Sequence, residues 1–201
     1  MNSVFISAAN CGKLTKMQEP HDSGVDVNAT YRGITALTSA LREDPTNQRT
    51  DEKQIAVVEW LITNGADVAA CESSGYGPIH YAAKYGKVAI IERLVQERGS
   101  IVNQLISEVL GWTALHLAVL NGWYDAAVLL VEMGARTDMV ALDKETKKEL
   151  SWDDLIEGVP AERRGEKEKL KTLINSQQPS ATFSTSSALQ LDSSGLARGV
   201  L

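Results

Sequence analysis

The chain has 201 residues and a formal net charge of −6, with 20 lysine and arginine residues against 26 aspartate and glutamate residues. A hydrophobic share of 43% with 23% charged residues indicates a folded, water-soluble protein. The acidic balance argues against a general nucleic-acid binder, because phosphate binding needs clustered lysine and arginine. No run approaches the ~18 apolar residues of a membrane helix, so we expect no membrane insertion.

Two cysteines, Cys11 and Cys71, are too few for a disulfide framework, and this favours a reducing compartment. The N-terminal residues have no basic lead and only a short apolar run, so we expect no signal peptide. These two features predict a cytoplasmic protein.

Three similar segments recur along the chain. Residues Gly111–Gly122 read GWTALHLAVLNG, and Gly75–Gly86, which start 36 residues earlier, read GYGPIHYAAKYG. A third copy starts at Gly33 with GITALTSAL and resumes at Val57. Self-similarity at this spacing is typical of stacked repeat proteins, in which neighbouring units bury each other's apolar faces.

These segments resemble the ankyrin repeat over residues 5–175, most closely over 57–138. The likeness lies in the tetrad Thr113–His116, in the Ala-Ala-x-x-Gly ending at Gly86 and in the terminus Gly65–Val68. The resemblance implies an all-α solenoid of stacked helix-turn-helix units with short β-hairpin-like loops.

In chain order we expect an ankyrin-repeat domain of about four repeats with a helical C-terminal cap, followed by a tail. Pro20 and His21 lie where paired leucines should pack in the first repeat. Proline cannot donate to the helix ladder, so the second helix of this repeat should be short. The domain is expected to span 1–175, with repeats at 1–29, 30–70, 71–107 and 108–139, a cap at 140–175 and a tail at 176–201.

The second repeat carries an insertion. Its span from Gly33 to Gly65 is 32 residues, against 23 from Gly111 to Gly134, and the extra residues fall in the polar run 44–53. This run is interpreted either as a tolerated loop, since a longer loop costs little to close, or as a binding loop.

Apolar residues at helical spacing predict the core of the later repeats. Small residues at Ala82–Ala83 and Ala118 allow close helix approach. The stripes include Ile90–Ile91 and Val128–Val131, so we expect Leu129 to be buried.

The C-terminal part changes character twice. Residues 150–156 and 170–174 predict two cap helices with a charged outer face. The tail 176–201 is rich in serine and threonine and has no apolar periodicity, so it should be disordered and dispensable for folding.

The sequence predicts no catalytic, cofactor-binding or metal site. Cys11 with His21 could form a nucleophile and base, but no third, orienting group is apparent. Cys71 with His80 lacks a second pair at metal-ligand spacing. We therefore expect a non-enzymatic protein without cofactors.

The resemblance assigns a structural role to His80 and His116, which should hydrogen-bond the adjoining hairpin and the tetrad threonine. Thr113 matches that pattern, whereas Gly77 stands in place of the threonine and Thr38 in place of the histidine. We expect uneven coupling between the repeats.

The resemblance also implies that a partner protein binds at the hairpin tips and on the exposed side of the first helices. Aromatic and arginine side chains, which commonly anchor interfaces, occupy many of these positions. Some of the rings could instead pack against the next hairpin or the cap, although Trp112 is expected to face outward. The candidate partner-binding residues are Tyr31, Arg32, Ile34, Arg42, Ser74, Tyr76, Lys84, Tyr85, Val109, Leu110, Trp112, Leu120, Asn121 and Trp123.

The resulting hypothesis is a protein-interaction adaptor or scaffold that is monomeric alone and binds a protein of unknown identity. The alternative is a regulatory or substrate-presenting subunit of an enzyme complex whose catalytic site lies on the partner. A stable, stoichiometric catalytic partner would favour the subunit, and varied partners would favour the adaptor.

Overall fold

A computed structural model describes residues 1–42, 49–107, 110–157 and 164–177. Helices dominate, and the strands are two residues long. The helices are α1 (Asn2–Asn10), α2 (Thr15–Asp22), α3 (Ala36–Leu41), α4 (Asp51–Thr63), α5 (Pro78–Lys84), α6 (Val88–Glu97), a 3-10 helix (Gly99–Asn103), α7 (Ala114–Leu120), α8 (Tyr124–Glu132), α9 (Trp152–Glu157) and α10 (Arg164–Gln177). The strands are β1 (Thr30–Tyr31), β2 (Ile34–Thr35), β3 (Ala141–Leu142) and β4 (Glu149–Leu150).

The helices stack in two rows. In the first row α1, α3, α5, α7 and α9 contact one another in succession, and in the second row α4, α6, α8 and α10 do the same. Helix pairs such as α3 with α4 and α5 with α6 link the rows, and the strands form two antiparallel hairpins, β1–β2 and β3–β4. This arrangement confirms the predicted solenoid of helix-turn-helix units with hairpin-like loops.

The core runs along the whole stack. Leu37, Ile79 and Leu115 of the first row are at most 1% exposed, and each such side chain contributes roughly 1.5–3 kcal/mol by leaving water. Ala82 and Ala118 are fully buried, as expected where helix backbones approach closely. No single helix pair could cover both of its apolar faces, so stability depends on the neighbours.

The prediction for Leu129 was wrong. Leu129 is only partly buried, whereas Leu130 is fully buried together with Tyr124 and Ala127. The three buried positions follow the three-to-four residue spacing of one face of α8. Leu129 is rotated away from that face and packs at its edge.

The first repeat replaces its missing leucines by other contacts. Helix α2 has eight residues and contains Pro20, against 13 residues in α4. The His21 ring packs edge-on against Trp60 of α4, with the ring centroids 5.1 Å apart, and Met17 is fully buried. Contact with Trp60 of the next repeat thereby covers one side of the short helix.

Helices extend into both the polar run 44–53 and the predicted tail 176–201. The last residues of the polar run 44–53 form the first turn of α4, where the Thr50 side chain accepts a hydrogen bond from the Lys53 amide at 3.5 Å. Helix α10 continues to Gln177, two residues into the predicted tail. Residues 43–48 and 178–201 lie outside the described ranges.

Candidate protein-interaction surface

The β1–β2 hairpin presents an aromatic and a cationic side chain at its tip. Arg32 and Gly33 join the strands with φ values of 54° and 76°, as in a tight two-residue turn with both φ angles positive. Tyr31 is 45% exposed, and the Arg32 guanidinium carbon lies 5.5 Å from the centre of its ring. Both predicted residues therefore face solvent.

Three tyrosines meet where the α3/α4 pair adjoins the α5/α6 pair, and we call Tyr76, Tyr81 and Tyr85 the tyrosine cluster. Tyr81 and Tyr85 are four residues apart on α5 and its C-terminal cap, which puts them on the same side, with ring centroids 6.4 Å apart. Tyr76 comes from the loop before α5, with its ring centroid 5.3 Å from that of Tyr81.

Two cations lie over this cluster. The guanidinium carbon of Arg42, at the end of α3, is 5.9 Å from the centre of the Tyr81 ring. The Lys84 ammonium is 5.4 Å from the centre of the Tyr85 ring. Both distances are within the range of an attractive cation–π interaction, which helps to fix two long side chains.

Glu72 lies behind Arg42 and completes the cluster. Its carboxylate accepts hydrogen bonds from the Tyr81 hydroxyl at 3.2 Å and from the Ser74 hydroxyl at 3.5 Å, and it lies 3.7 Å from the Arg42 guanidinium. Burial, followed by the nearby Glu72 charge, raises the pKa of Tyr81 to about 12. Tyr81 therefore remains a neutral hydrogen-bond donor at physiological pH.

The sequence analysis did not select Tyr81 or Glu72. Tyr81 is 8% exposed, and Glu72 is largely covered by its contacts. The position of Tyr81 four residues before Tyr85 was an available signal, because helical residues at this spacing lie together. Glu72 gave no local signal for the cluster, since Arg42 and Tyr81, which tie it to the cluster, come from α3 and α5.

Two predicted tryptophans lie between neighbouring repeats. The Trp112 indole N–H donates to the Leu142 carbonyl at 2.9 Å, and the side chain is partly buried, in contrast to the expected outward orientation. Trp123 donates to the Lys84 carbonyl at 2.9 Å and packs on Gly86, where an added Cβ would lie 2.4 Å from the ring. The Trp112 indole thus reaches the segment that follows its repeat and the Trp123 indole reaches the preceding repeat, which explains their positions.

The remaining candidates differ in their exposure. Leu120 is 48% exposed, and exposed Asn121 donates to the Leu117 carbonyl at 2.8 Å. Ser74 is exposed, whereas Ile34 and Leu110 are partly buried. Val109 lies outside the described residues.

The two tetrad histidines are buried and bridge segments of the chain. His80 accepts from the Gly77 amide at 3.0 Å, and its other ring nitrogen lies 2.8 Å from the Gln104 carbonyl. His116 lies 2.9 Å from the Thr113 hydroxyl. Burial lowers the pKa of each histidine to about 4, so both rings are neutral at physiological pH.

The possible nucleophiles lie in ordinary structural surroundings. Cys11 and Cys71 are free thiols, and burial is the main cause that raises the pKa of Cys71, which reduces its reactive thiolate form. Within the described ranges, no group of three or more His, Cys, Asp or Glu side chains could hold a metal ion. Among the helices that the structure describes, none is long and apolar enough to span a membrane.

Comparisons with known proteins agree with this architecture. A family model of ankyrin repeats in three copies matches residues 49–141. The chain is 33% identical over 158 residues to the "Probable 26S proteasome regulatory subunit p28" of Saccharomyces cerevisiae, covering 72% of this chain and 64% of the relative.

Two further relatives match shorter segments. NF-kappa-B inhibitor alpha of Sus scrofa is 31% identical over 101 residues, which is 47% of this chain and 31% of the relative. Human ankyrin repeat and SOCS box protein 3 is 28% identical over 95 residues, which is 47% of this chain and 18% of the relative. The chain thus spans less than two thirds of each of these three proteins. Residues 49–141 therefore match ankyrin repeats, which mediate protein–protein interaction, and the relatives and the stacked helix pairs support an ankyrin-repeat family for this chain.

Proposed function

We propose that this chain is an adaptor or scaffold that binds a partner protein through its hairpin tips and the concave face of its repeats. The observation that carries the proposal is the tyrosine cluster with its two overlying cations, Arg42 and Lys84. Aromatic rings and arginine are enriched among residues that dominate binding energy. The Tyr31–Arg32 tip adds the same pair of chemistries on the preceding hairpin.

A regulatory subunit of a larger complex is the second candidate. The printed name of the yeast relative describes a probable regulatory subunit of the 26S proteasome, and this supports a regulatory role. In that case the catalytic site would lie on the partner, and this chain would control it or present a substrate to it.

We infer that the chain itself is non-catalytic. Ankyrin-repeat domains are generally non-catalytic, and the neutral buried His80 and His116 support a structural role for these two groups. The free thiols Cys11 and Cys71 support a cytoplasmic location, since such thiols persist where the environment is reducing. We also propose that the chain is monomeric alone.

The division of the chain is also a proposal. The helix pairs support repeats at 1–29, 30–70, 71–107 and 108–139, and α9 with α10 supports a cap over 140–175. A tail from 176 onward would then follow the domain.

Native affinity capture with the intact chain tests the proposed function. We expect co-purified partners to be depleted by Tyr85→Ala and by Tyr31→Ala. Val140→Ala is the matched control, because Val140 is 48% exposed but precedes β3, away from the tyrosine cluster. A stoichiometric catalytic partner selects the subunit, and varied partners select the adaptor. An unchanged set of partners in both tyrosine variants would contradict the proposed surface.

A further inference from the structure

The two cations over the tyrosine cluster are held in place before any partner arrives. Arg42 lies over Tyr81 and Lys84 lies over Tyr85, at 5.9 and 5.4 Å from the ring centres. Long cationic side chains ordinarily lose rotamer freedom on binding, and that loss weakens affinity. Rings that already position the two charges reduce this loss.

The acidic side chain of the cluster is turned inward. Glu72 has 11% of its side chain exposed, whereas the Arg42 side chain is 45% exposed. The Glu72 carboxylate is engaged by the Tyr81 and Ser74 hydroxyls and lies 3.7 Å from Arg42. Among the described residues of this cluster, the charges that reach solvent are therefore positive.

The exposed Arg42 charge and the neighbouring Lys84 charge contrast with the net charge of −6 of the chain. An acidic partner would be repelled by most of the molecule and attracted here, so charge complementarity would select the site and the orientation. The Tyr31–Arg32 tip repeats the ring-and-cation pairing on the hairpin that precedes α3.

We propose that the tyrosine cluster binds an acidic segment of the partner protein, with carboxylates meeting Arg42 and Lys84 and an apolar side chain resting on the tyrosine rings. The inference rests on the proposed function, since it names the partner chemistry of that surface. A basic segment fits less well, because the chain's own cations already occupy the Tyr81 and Tyr85 rings and the Glu72 carboxylate is largely buried.

The test is selection of peptides from a bead-displayed random dodecapeptide library on the immobilised full chain. We expect the enriched peptides to contain more aspartate and glutamate than lysine and arginine. Enriched peptides, synthesised with a fluorophore, should bind Lys84→Glu and Arg42→Gln at least about tenfold more weakly in fluorescence anisotropy, and their affinity should fall as salt is raised.

Lys169→Glu is the matched control, because it makes the same charge change at an exposed site on α10. It should leave affinity within about twofold, as expected for a distant, screened charge. Lys84→Glu should keep its fold, since the Trp123 indole bonds the Lys84 backbone carbonyl and not its side chain. Urea unfolding of each variant verifies this.

The outcomes separate the two proposals. Peptides that need Tyr85 but lack an acidic excess, or that bind Lys84→Glu more tightly, overturn the inference and leave the proposed function intact. Peptides indifferent to Tyr85→Ala and to both charge changes overturn the inference and the proposed surface together. A selection that enriches no peptide also overturns the inference.

Discussion

Two neighbouring junctions of this solenoid use different chemistry for the same stacking. The first, between the α3/α4 and α5/α6 pairs, is bridged mainly by ion pairs, beside a neutral hydrogen bond from the Gln104 side-chain amide to the Ala69 carbonyl at 2.9 Å. Its ion pairs are Arg42–Glu72 at 3.7 Å, Lys87–Asp51 at 2.8 Å, Arg93–Glu59 at 2.9 Å and Arg98–Asp67 at 3.6 Å.

The second junction, between the α5/α6 and α7/α8 pairs, is bridged by neutral hydrogen bonds. Trp123 reaches the Lys84 carbonyl, and His80 holds the Gln104 carbonyl in the loop that leads from α6 toward α7. The side-chain amide of Asn103 donates to the Gly134 carbonyl at 3.1 Å, and its oxygen accepts from the Arg136 backbone N–H at 2.7 Å.

The difference begins with single residues. Thr38 stands where His80 stands one repeat later, and its hydroxyl lies 3.0 Å from that of Thr35 in the same segment. Ala69 stands where Asn103 stands, and its methyl group cannot bridge by hydrogen bonds. The first junction should therefore respond to salt, which screens exposed charges, and the second to acid, which protonates buried histidine.

Acid should produce the largest effect. The folded chain resists protonation of His80 and His116 down to a pKa of about 4, whereas the unfolded chain binds these protons below about pH 6.5. The contribution of these two neutral histidines to the free energy of unfolding is therefore fully present above about pH 6.5 and is lost as the pH falls toward 4. The loss is on the order of 3 kcal/mol for each histidine, measured as the free energy of unfolding in urea.

Replacement of apolar core residues should weaken both junctions alike. Leu61→Ala in α4 and Leu130→Ala in α8 each remove a fully buried side chain and should cost about 2–5 kcal/mol in urea unfolding. Leu120→Ala is the control, since its side chain is 48% exposed and the change should stay within about 0.5 kcal/mol. A cost confined to one of the two buried leucines would show that the junctions also differ in packing.

Removal of the matched polar residues should separate the junctions directly. His80→Ala leaves the Gly77 amide and the Gln104 carbonyl without their side-chain partner and should cost about 2–4 kcal/mol. Thr38→Ala removes the hydroxyl contact with Thr35 and one buried methyl group and should cost about 1–2 kcal/mol. Equal losses in urea unfolding would contradict the proposed difference. The pH dependence of stability should also become shallower in His80→Ala and remain unchanged in Thr38→Ala.

Salt should produce the smallest effect. The Arg93–Glu59 pair is partly exposed, so a double-mutant cycle with Arg93→Gln and Glu59→Gln should give about 0.2–1 kcal/mol of coupling. Because Arg93 also pairs with Glu97 on its own helix, the cycle is needed to isolate the contact between repeats. The coupling should shrink in 1 M salt, where the screening length is about 3 Å. Coupling that survives such salt undiminished would mean that the pair is not screened as an exposed contact.

The sequence predicted the architecture because repeat periodicity is local information. The apolar stripes and the tetrads around His80 and His116 were sufficient for the solenoid, and the departures at Thr38 and Gly77 pointed to uneven coupling. The burial of Leu129 was mispredicted because four consecutive apolar residues do not mark which of them faces the core. The position of Trp112 depends on the Leu142 carbonyl 30 residues away, which no local pattern encodes.

The contact between Trp123 and Gly86 constrains how this sequence can evolve. A side chain larger than hydrogen at position 86 collides with the indole, and the φ of +65° at this glycine would strain it independently. If Trp123 is replaced first, a side chain at position 86 no longer collides with the indole, but the positive φ still disfavours it. If Gly86 is replaced first, both the collision and the backbone strain oppose the change. Lineages that drift at this junction should therefore lose the tryptophan while the glycine persists.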